Sequence, residues 1–321
     1  MTTARTSIDR RLIDRIDAKK RRLDSYRPMV PALVRRLQAD VRLLTTYHSN
    51  AIEGNTLTLR ETQAVLEHGI TVGGHTLREH LEATNHAEAF DELLRLVDQH
   101  TPITHETILA LHRLVMDKID PTAGSFRTIP VYIRGANVVP PHPSNVPDYI
   151  NQWIDWVADE NHRQEYHPVV WAAIAHHGFE AVHPFEDGNG RVGRLLLNFM
   201  LMREGFPPAL VLREWRMGYI LALDAANTGN YRGLNTVVGQ AVEAGLDLYL
   251  ESCEAEPEAA YLPLAELGAQ TGFEANYLGW LIRRGQLSGI KRKGRWHSTL
   301  SAIQRYQEGV AQGVYPPEYL R

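Results

Sequence analysis

One stretch of this chain reads, from residue 183 to residue 194, His183-Pro184-Phe185-Glu186-Asp187-Gly188-Asn189-Gly190-Arg191-Val192-Gly193-Arg194. Its glycine-containing turn precedes an apolar run over residues 195–201, which predicts a buried helix. Free backbone N–H groups at a helix start point at one spot, where the helix dipole also favours negative charge. The stretch therefore predicts a phosphate-binding turn at the start of a buried helix.

Four side chains of this stretch suit the transfer of a phosphate-containing group. Arg191 and Arg194 are three positions apart on the predicted helix, so both can offer forked donors to phosphate oxygens. Asp187 stands just before the turn, where its carboxylate can hold Mg²⁺. His183 can take a proton near neutral pH. Together they are the parts that phosphoryl or nucleotidyl transfer requires.

Each of these features also has a plainer interpretation. A single Gly-Asn-Gly usually marks a turn, and two arginines on a helix usually form a solvated face. Their combination within one short stretch makes that interpretation hard to sustain. A zinc site is the other competitor, because His176, His177 and His183 lie close together, but no Cys pair or His-Glu-x-x-His spacing accompanies them. We therefore favour phosphate chemistry.

Most of the remaining chain is predicted to be helical. Apolar residues recur three and four positions apart in Val30 to Tyr47, Glu79 to Val97 and Ile108 to Val115. Thr104 and Pro147 are typical helix-start residues. We predict an all-α fold with a short β-hairpin and a small C-terminal α/β domain.

Two stretches interrupt the helical pattern. Thr128 to Val139 has β-branched runs on either side of Gly135, and Leu287 to Thr299 has Gly294 at its middle. Both predict short hairpins.

A domain boundary is expected at the acidic stretch Glu251 to Glu258. From Tyr261 to Arg321 there are eight Lys or Arg against four Asp or Glu, a balance of +4, which leaves −8 for the rest of the chain. Leu264 to Gly272 and Asn276 to Arg284 are predicted as two short helices ahead of the basic hairpin, the order of a winged helix-turn-helix. The predicted domains are residues 1–100, 101–250 and 257–321.

Composition places few limits on function. The 321 residues are 44% hydrophobic and 22% charged, with a formal charge of −4, which gives no global signal for nucleic acid or membrane binding. Cys253 is the single cysteine, so we expect a reducing cytoplasm. The basic first 27 residues lack the apolar core of a signal peptide, and no apolar run approaches the roughly 20 residues that span a bilayer. We therefore expect a protein that is neither exported nor embedded in a membrane.

Residues 183–194 resemble the signature of the Fic family, His-x-Phe-x-Asp/Glu-Gly-Asn-Gly-Arg-x-x-Arg, without a departure. The resemblance extends over roughly Thr101 to Gly245 and implies an AMP transferase that uses ATP and Mg²⁺. It implies that His183 deprotonates the target hydroxyl, that Asp187 holds the metal and that Arg194 grips the γ-phosphate. The ATP-binding residues that it implies are Glu53, His183, Asp187, Gly188, Asn189, Gly190, Arg191, Val192, Gly193, Arg194, Tyr219, Ile220 and Asn227.

Two flanking segments are also similar to parts of Fic proteins. The first hairpin resembles the Fic flap, whose edge strand would pair with the backbone of the target protein. Tyr219, Ile220 and Asn227 fall where Fic proteins line the adenine pocket, although Tyr219 would serve equally well as a core aromatic residue. The flap residues are Val131, Tyr132, Ile133, Arg134, Gly135, Ala136, Asn137, Val138 and Val139.

Ser49, Glu53 and Gly54 resemble the Fic inhibitory motif, Ser/Thr-x-x-x-Glu-Gly/Asn. Ser49 and Glu53 are four positions apart on one helix face, and Gly54 is a natural helix stop. A carboxylate in the last turn of a helix is unfavourable unless it meets a cation. The resemblance implies that Glu53 pairs with Arg194 and competes with the γ-phosphate. A homodimer that buries the Glu53 region would be physically sensible.

The sequence thus predicts a protein adenylyltransferase, restrained by Glu53, that modifies a Ser, Thr or Tyr hydroxyl of a target protein or of itself. Related restrained enzymes also remove AMP, and the sequence leaves that reaction open. The alternative is a DNA-binding regulator with an ancillary or inactive Fic core, in which residues 276–284 form a recognition helix and residues 291–296 a wing. A third interpretation is transfer of another phosphate-containing group from a different donor.

Overall fold

Helices carry most of the regular structure. A computed structural model describes residues 7–29, 31–133, 138–254, 261–292 and 294–311. Within these ranges the chain divides into two compact units, one formed by residues 7–20 and 29–247 and the other by residues 21–28 and 248–311. The predicted parts 1–100 and 101–250 fall almost entirely in the first unit, and the described part of 257–321 falls in the second.

Eleven helices precede the small sheet in the described part of the chain. We number them α1 to α11, and their bounds in chain order are Arg10–Asp24, Pro31–Glu53, Leu59–His68, Leu77–Asp98, His105–Met116, Val146–Ala158, Glu160–Glu165, Pro168–Val182, Asn189–Arg203, Arg216–Asn227 and Arg232–Cys253. Thr104 caps α5 and Pro147 lies in the first turn of α6, so both predicted start signals are confirmed. None of the helices described combines the length and the apolar composition that crossing a bilayer requires.

The central helix of the first unit is α9. Its residues 191–201 are all buried, and it packs against α2, α4, α5 and α8. A helix that is buried on every side, here including Arg191, Arg194 and Asn198, belongs to the core, where each fully buried Leu or Phe contributes ~1.5–3 kcal/mol. The predicted buried helix is confirmed, and its start at Asn189 fixes the turn that precedes it.

The predicted hairpin over residues 128–139 is only partly described. The structure assigns no strand to residues 128–133 or 138–139, and Arg134, Gly135, Ala136 and Asn137 lie outside the described residues. One side chain bridges the two ends of this segment, because Arg127 donates to the carbonyl of Ile129 (3.2 Å) and to that of Pro141 (2.6 Å), two positions beyond the predicted hairpin. The flap hairpin therefore stays a prediction.

The second unit contains a three-stranded antiparallel sheet. Its strands are β1 (Leu262–Pro263), β2 (Ile290–Arg292) and β3 (Arg295–Ser298), in the order β1-β3-β2. Three helices complete it, namely α12 (Leu264–Thr271), α13 (Ala275–Arg283) and α14 (Leu300–Ala311).

Two glycines shape this unit as the sequence predicts. Gly272 ends α12 with a φ of 78°, and Gly294 lies between β2 and β3 with a φ of 80°. Such left-handed positions suit glycine because it has no Cβ. The two short helices and the basic hairpin are confirmed. The predicted acidic boundary is only partly described, because residues 255–260 lie outside the described ranges.

Candidate active site

The turn between α8 and α9 is locked in place by side chains from two directions. The ring of Phe185 stacks on His112 with centroids 3.6 Å apart. The amide of Asn189 closes the turn, since it accepts from the N–H of Phe185 and donates to its carbonyl, each at 2.9 Å. Gly188 has a φ of 80°, and a Cβ there would lie 2.8 Å from the sulfur of Met116. Only glycine fits that position without strain.

His183 stands at the C-terminal end of α8 in the left-handed conformation, with a φ of 49°. Its Nδ1 lies 3.3 Å from the carbonyl of Glu180. A carbonyl can only accept, so this bond places the proton on Nδ1 and leaves Nε2 with a free lone pair. Burial lowers the pKa of His183, although the Glu180 carbonyl opposes the shift. A neutral imidazole of this tautomer is suited to act as a general base.

Arg127 holds the backbone of His183. Its Nε donates to the carbonyl of His183 at 2.8 Å, and its own N–H donates to the carbonyl of Pro184 at 2.9 Å. The side chain is only 2% exposed, and burial lowers its pKa. The same guanidinium binds the backbone on either side of the predicted flap, at Ile129 and Pro141, so one buried cation connects these two segments to His183. Sequence reasoning missed this residue.

Arg194 and the end of α2 meet in the first unit. The Nη2 of Arg194 donates to Glu53 Oε1 at 2.7 Å and to the carbonyl of Ser49 at 2.9 Å, while its Nε donates to Ser49 Oγ at 3.0 Å. Burial lowers the pKa of Arg194, but the negative charge of Glu53 raises it by more, so the pKa of the guanidinium lies above its ordinary value. Gly54 follows with a φ of 104° and ends α2, which leaves Glu53 in its last turn.

Glu53 occupies the space beside the first turn of α9. A Cβ on Gly190 would lie 2.4 Å from Glu53 Oε1. The carboxylate thus lies against the helix start at which a phosphate would bind. Ser49 adds two contacts to the same guanidinium, so both inhibitory-motif side chains contact Arg194.

A cavity of about 300 Å³ opens between α2, α8, α9, α10 and the flap arms. Its wall brings together residues that are distant in sequence, including Glu53, Tyr132, Ile133, Val138, His183, Gly190, Arg194, Tyr219, Ile220 and Asn227. The described flap residues Tyr132 and Val139 are 83% and 73% exposed. The proposed base, the Glu53–Arg194 pair and the predicted adenine-pocket residues therefore share one cavity.

Tyr219 is 2% exposed, as a core aromatic residue would be, and it also lines the cavity. Its predicted contact with adenine stays a prediction. Its hydroxyl lies 2.6 Å from His176 Nε2. Asn227 Oδ1 lies 2.8 Å from His177 Nε2. The rings of His176 and His177, considered above as zinc ligands, are engaged in these hydrogen bonds.

Three residues of the signature lie behind the cavity wall. Arg191 is 2% exposed and pairs with Glu82 and Asp187, each at 3.2 Å. Val192 is fully buried, and the carbonyl of Gly193 lies 3.1 Å from His176 Nδ1. They support the turn from within the core, and their predicted contacts with ATP stay predictions.

Asp187 stands at the mouth of the turn. Its Oδ1 accepts from the N–H of Gly188 at 2.6 Å, and its Oδ2 accepts from Arg78 Nη2 at 2.5 Å. Burial would raise the pKa of Asp187, but Arg191 and Arg78 outweigh it and hold that pKa below its usual range. Behind the turn, His112 Nε2 lies 3.1 Å from the carbonyl of Asp187. Neither Arg78 nor His112 carried a recognisable signal in the sequence.

Comparison with known proteins gives consistent matches. The family model described as the Fic/DOC family matches residues 102–201. A curated relative from Drosophila willistoni, named protein adenylyltransferase Fic, is 37% identical over 245 residues, which cover 76% of this chain and 48% of that protein. This chain thus spans about half the length of the curated relatives that it matches.

Solved structures are similar as well. Fic-1 from C. elegans is 34% identical with a TM-score of 0.66, and the match covers 76% of this chain and 72% of that one. A Fic family protein from Desulfovibrio desulfuricans is 25% identical with a TM-score of 0.64, and the match covers 91% of this chain and 97% of that one.

Proposed function

This chain belongs to the Fic/DOC family, and on that premise we propose that it transfers AMP from ATP to a hydroxyl side chain of a protein, under restraint by Glu53. One observation carries the proposal. His183 and the Glu53–Arg194 pair line a single cavity beside the first turn of α9. A regulated nucleotidyl transfer needs a general base and a cation beside a phosphate-binding turn, and here the cation, Arg194, is already bound by Glu53.

The reaction assigned to the site is an in-line displacement. Nε2 of His183 takes the proton of the target hydroxyl, and the oxygen forms a bond to the α-phosphorus of ATP. The bond from that phosphorus to the β-bridging oxygen breaks, and pyrophosphate leaves. The N–H groups at the start of α9 would stabilise the charge on the phosphate oxygens. Tyr219, Ile220 and Asn227 would hold the adenine.

Asp187 is the residue that would hold Mg²⁺. Magnesium often binds through one or two carboxylates together with substrate phosphates, which suits a single partly exposed carboxylate beside the turn. Within the described ranges, no group of three or more His, Cys, Asp or Glu could hold a metal ion, so nucleotide oxygens would have to complete the site. When bound, the ion would neutralise charge on the phosphates. Arg78, which is half exposed, would have to leave Asp187.

The restraint follows from competition for one guanidinium. Arg194 is 5% exposed and makes three hydrogen bonds to Ser49 and Glu53. A γ-phosphate would need the same donors, so ATP can bind productively only after Glu53 leaves. Removing the carboxylate should therefore raise AMP transfer.

The test is transfer of label from ATP carrying a labelled α-phosphate, in Mg²⁺ buffer, to the protein itself and to a cell lysate. The Glu53→Gly variant is expected to label protein well above the unchanged chain, and Glu53→Gly combined with His183→Ala is expected to label nothing. Mass spectrometry of the labelled protein would report the donor group and the modified side chain together. Absence of labelling by the Glu53→Gly variant would contradict the proposal. Release of AMP from modified protein by the unchanged chain would assign removal as well.

The flap arms are proposed to dock the target by β-augmentation. The support is the exposure of Tyr132 and Val139 beside the cavity that holds His183. An extended target segment pairing there would bring its hydroxyl toward the base.

DNA is proposed as a second partner, through the C-terminal unit. Arg283, Lys291 and Arg295 are exposed at the end of α13 and on the basic hairpin. A salt-dependent shift of labelled duplex DNA, weakened by Lys291→Glu with Arg295→Glu, would support this role. A regulator with an inactive core is not favoured, because the signature is intact and the curated relatives are named adenylyltransferases. A homodimer and a cytoplasmic location also stay predictions, the first of which sedimentation would check.

A further inference from the structure

Glu180 lines the nucleotide cavity but has no part in the reaction described above. It lies on α8, one turn before His183. Its Oε1 is buried and accepts no hydrogen bond from any residue that the structure describes. Burial raises the pKa of this carboxyl to about 8, against the opposing effect of Arg194. Glu180 as a whole is partly exposed, but a carboxyl oxygen that is buried without a partner is costly and needs an explanation.

The neighbouring helix leaves room for this carboxyl. A Cβ on Gly193 would lie 2.2 Å from Glu180 Oε1. Glycine in a helix interior is unfavourable, so it is tolerated there when a close approach requires it. Gly193, which has no direct place on the cavity wall, thus has a physical role in seating Glu180.

The position of Glu180 along the cavity suggests its ligand. His177, Glu180 and His183 follow one another at intervals of three residues and all line the cavity. With a rise of about 1.5 Å per residue, Glu180 lies roughly 4.5 Å along the helix axis from each of the other two. His177 contacts Asn227, which the proposed function assigns to the adenine end, and His183 shares the cavity with Gly190, which it assigns to the phosphate end.

A nucleotide has its ribose between its base and its phosphates, and the ribose carries two hydroxyl groups. We propose that Glu180 binds the ribose hydroxyls of ATP and makes the site selective for ribonucleotides over deoxyribonucleotides. This assignment rests on the proposed function, because the order of base, ribose and phosphate along the cavity comes from it. Oε1 is enclosed against Gly193, but Glu180 as a whole is partly exposed and lines the cavity, so its other carboxyl oxygen is the one that a ribose hydroxyl can reach. A protonated carboxyl can both accept and donate a hydrogen bond there.

The assignment can be tested by calorimetric binding to the 321-residue chain carrying Glu53→Gly and His183→Ala. The first change frees Arg194 from Glu53, and the second prevents ATP from being consumed. The probes are ATP, 2′-deoxy-ATP, 3′-deoxy-ATP and tripolyphosphate, all in Mg²⁺ buffer. We expect at least one deoxynucleotide to bind about tenfold more weakly than ATP, the factor that one hydrogen bond of ordinary strength supplies. Adding Glu180→Ala should reduce the ratio of the deoxynucleotide Kd to the ATP Kd to below about twofold. Glu180→Gln keeps an acceptor, so its ratio should lie between those of Glu180→Ala and the parent.

Two controls separate the alternatives. Tripolyphosphate should bind Glu180→Ala and its parent equally, because it has no ribose. Asp224 is another carboxyl on the same wall, so loss of the ratio in Asp224→Ala but not in Glu180→Ala would overturn the assignment. Equal binding of ATP and both deoxynucleotides to the parent would overturn it as well.

The test also separates the ribose assignment from the proposed function. If ATP binds with the expected ratios but the Glu53→Gly protein that keeps His183 transfers no AMP, the proposed function fails and the ribose assignment stands. If ATP does not bind, both fail.

Discussion

At the scale of single residues, the chemistry depends on how the fold presents one imidazole. His183 donates through Nδ1 to a backbone carbonyl, and its own carbonyl accepts from Arg127. Its tautomer and its position are therefore set by separate contacts.

The pH profile of AMP transfer should reflect the lowered pKa of His183. The base works in its neutral form, and burial lowers its pKa below the ordinary 6.5. Activity of the Glu53→Gly variant should therefore persist as pH falls to 6.5 and be lost only below that value. The measurement is kcat/KM for ATP between pH 5 and pH 8, with circular dichroism confirming that the protein stays folded. A midpoint above pH 6.5 for the acidic limb would contradict this reading of the site.

Arg127→Lys, introduced into the Glu53→Gly variant, should reduce the turnover number. A lysine cannot reach the carbonyls of His183, Ile129 and Pro141 at once. A displacement of about 1 Å at a reacting group can cost about 100-fold, so we expect kcat to fall by tenfold to 100-fold. The Kd for ATP should change little, because Arg127 is not on the cavity wall. Arg127 acts through His183 and the flap, so it is a positioning residue. Unchanged kcat in a folded Arg127→Lys protein would refute that role.

At the scale of elements, the restraint depends on where α2 ends. Glu53 can reach Arg194 only if the last turn of α2 is held against its neighbours. Asn55, just past that turn, donates through Nδ2 to the carbonyl of Glu79 and to Glu82 Oε2, each at 3.0 Å. These bonds fasten the end of α2 to α4.

Asn55→Ala should therefore raise basal AMP transfer, to a level between those of the unchanged chain and the Glu53→Gly variant. The reason is that the end of α2 loses its attachment to α4 while the carboxylate of Glu53 remains. Thr58→Ala provides a matched control, because it removes the N-cap of α3, which typically costs about 1 kcal/mol, without touching Arg194 or Glu53. Thermal unfolding would show that both variants are destabilised, and only Asn55→Ala should be activated. Equal activation of the two would mean that general loosening, not the attachment of α2, relieves the restraint.

At the scale of the whole molecule, the two units do not follow chain order. Residues 21–28 belong to the same unit as residues 248–311. Within that unit, Arg22 Nη2 lies 2.5 Å from Glu254 Oε1, and Glu254 is 8% exposed. A segment near the N-terminus thus supplies the cation that a buried carboxylate of the C-terminal unit requires.

Arg22→Met should destabilise this unit, because it leaves Glu254 buried without its cation. Losing one partner of a fully buried pair costs about 3–5 kcal/mol, and solvent near the partly exposed Arg22 should reduce the cost to about 1–3 kcal/mol. The measurement is differential scanning calorimetry, with Arg21→Met as control, since Arg21 is exposed. A thermal midpoint equal to that of the control would show that the pair contributes nothing.

The sequence by itself determined the parts of this protein that rest on short spacings. The turn before α9, the buried run of α9, the end of α12 at Gly272 and the basic hairpin of the second unit all follow from residues a few positions apart. The partners Glu53 and Arg194 are 141 positions apart, and only the resemblance to a family brought them together before the structure did.

The tertiary structure alone decided which other side chains complete the site. Arg127, His112 and Arg78 reach the signature from 56, 75 and 109 positions away. Nothing in local periodicity distinguishes them from ordinary core or surface residues. Glu180 is inside the predicted region, yet the burial of its Oε1 without a hydrogen-bond partner depends on how closely α8 packs against Gly193. Burial and partners depend on how helices pack, and spacing along the chain does not specify packing.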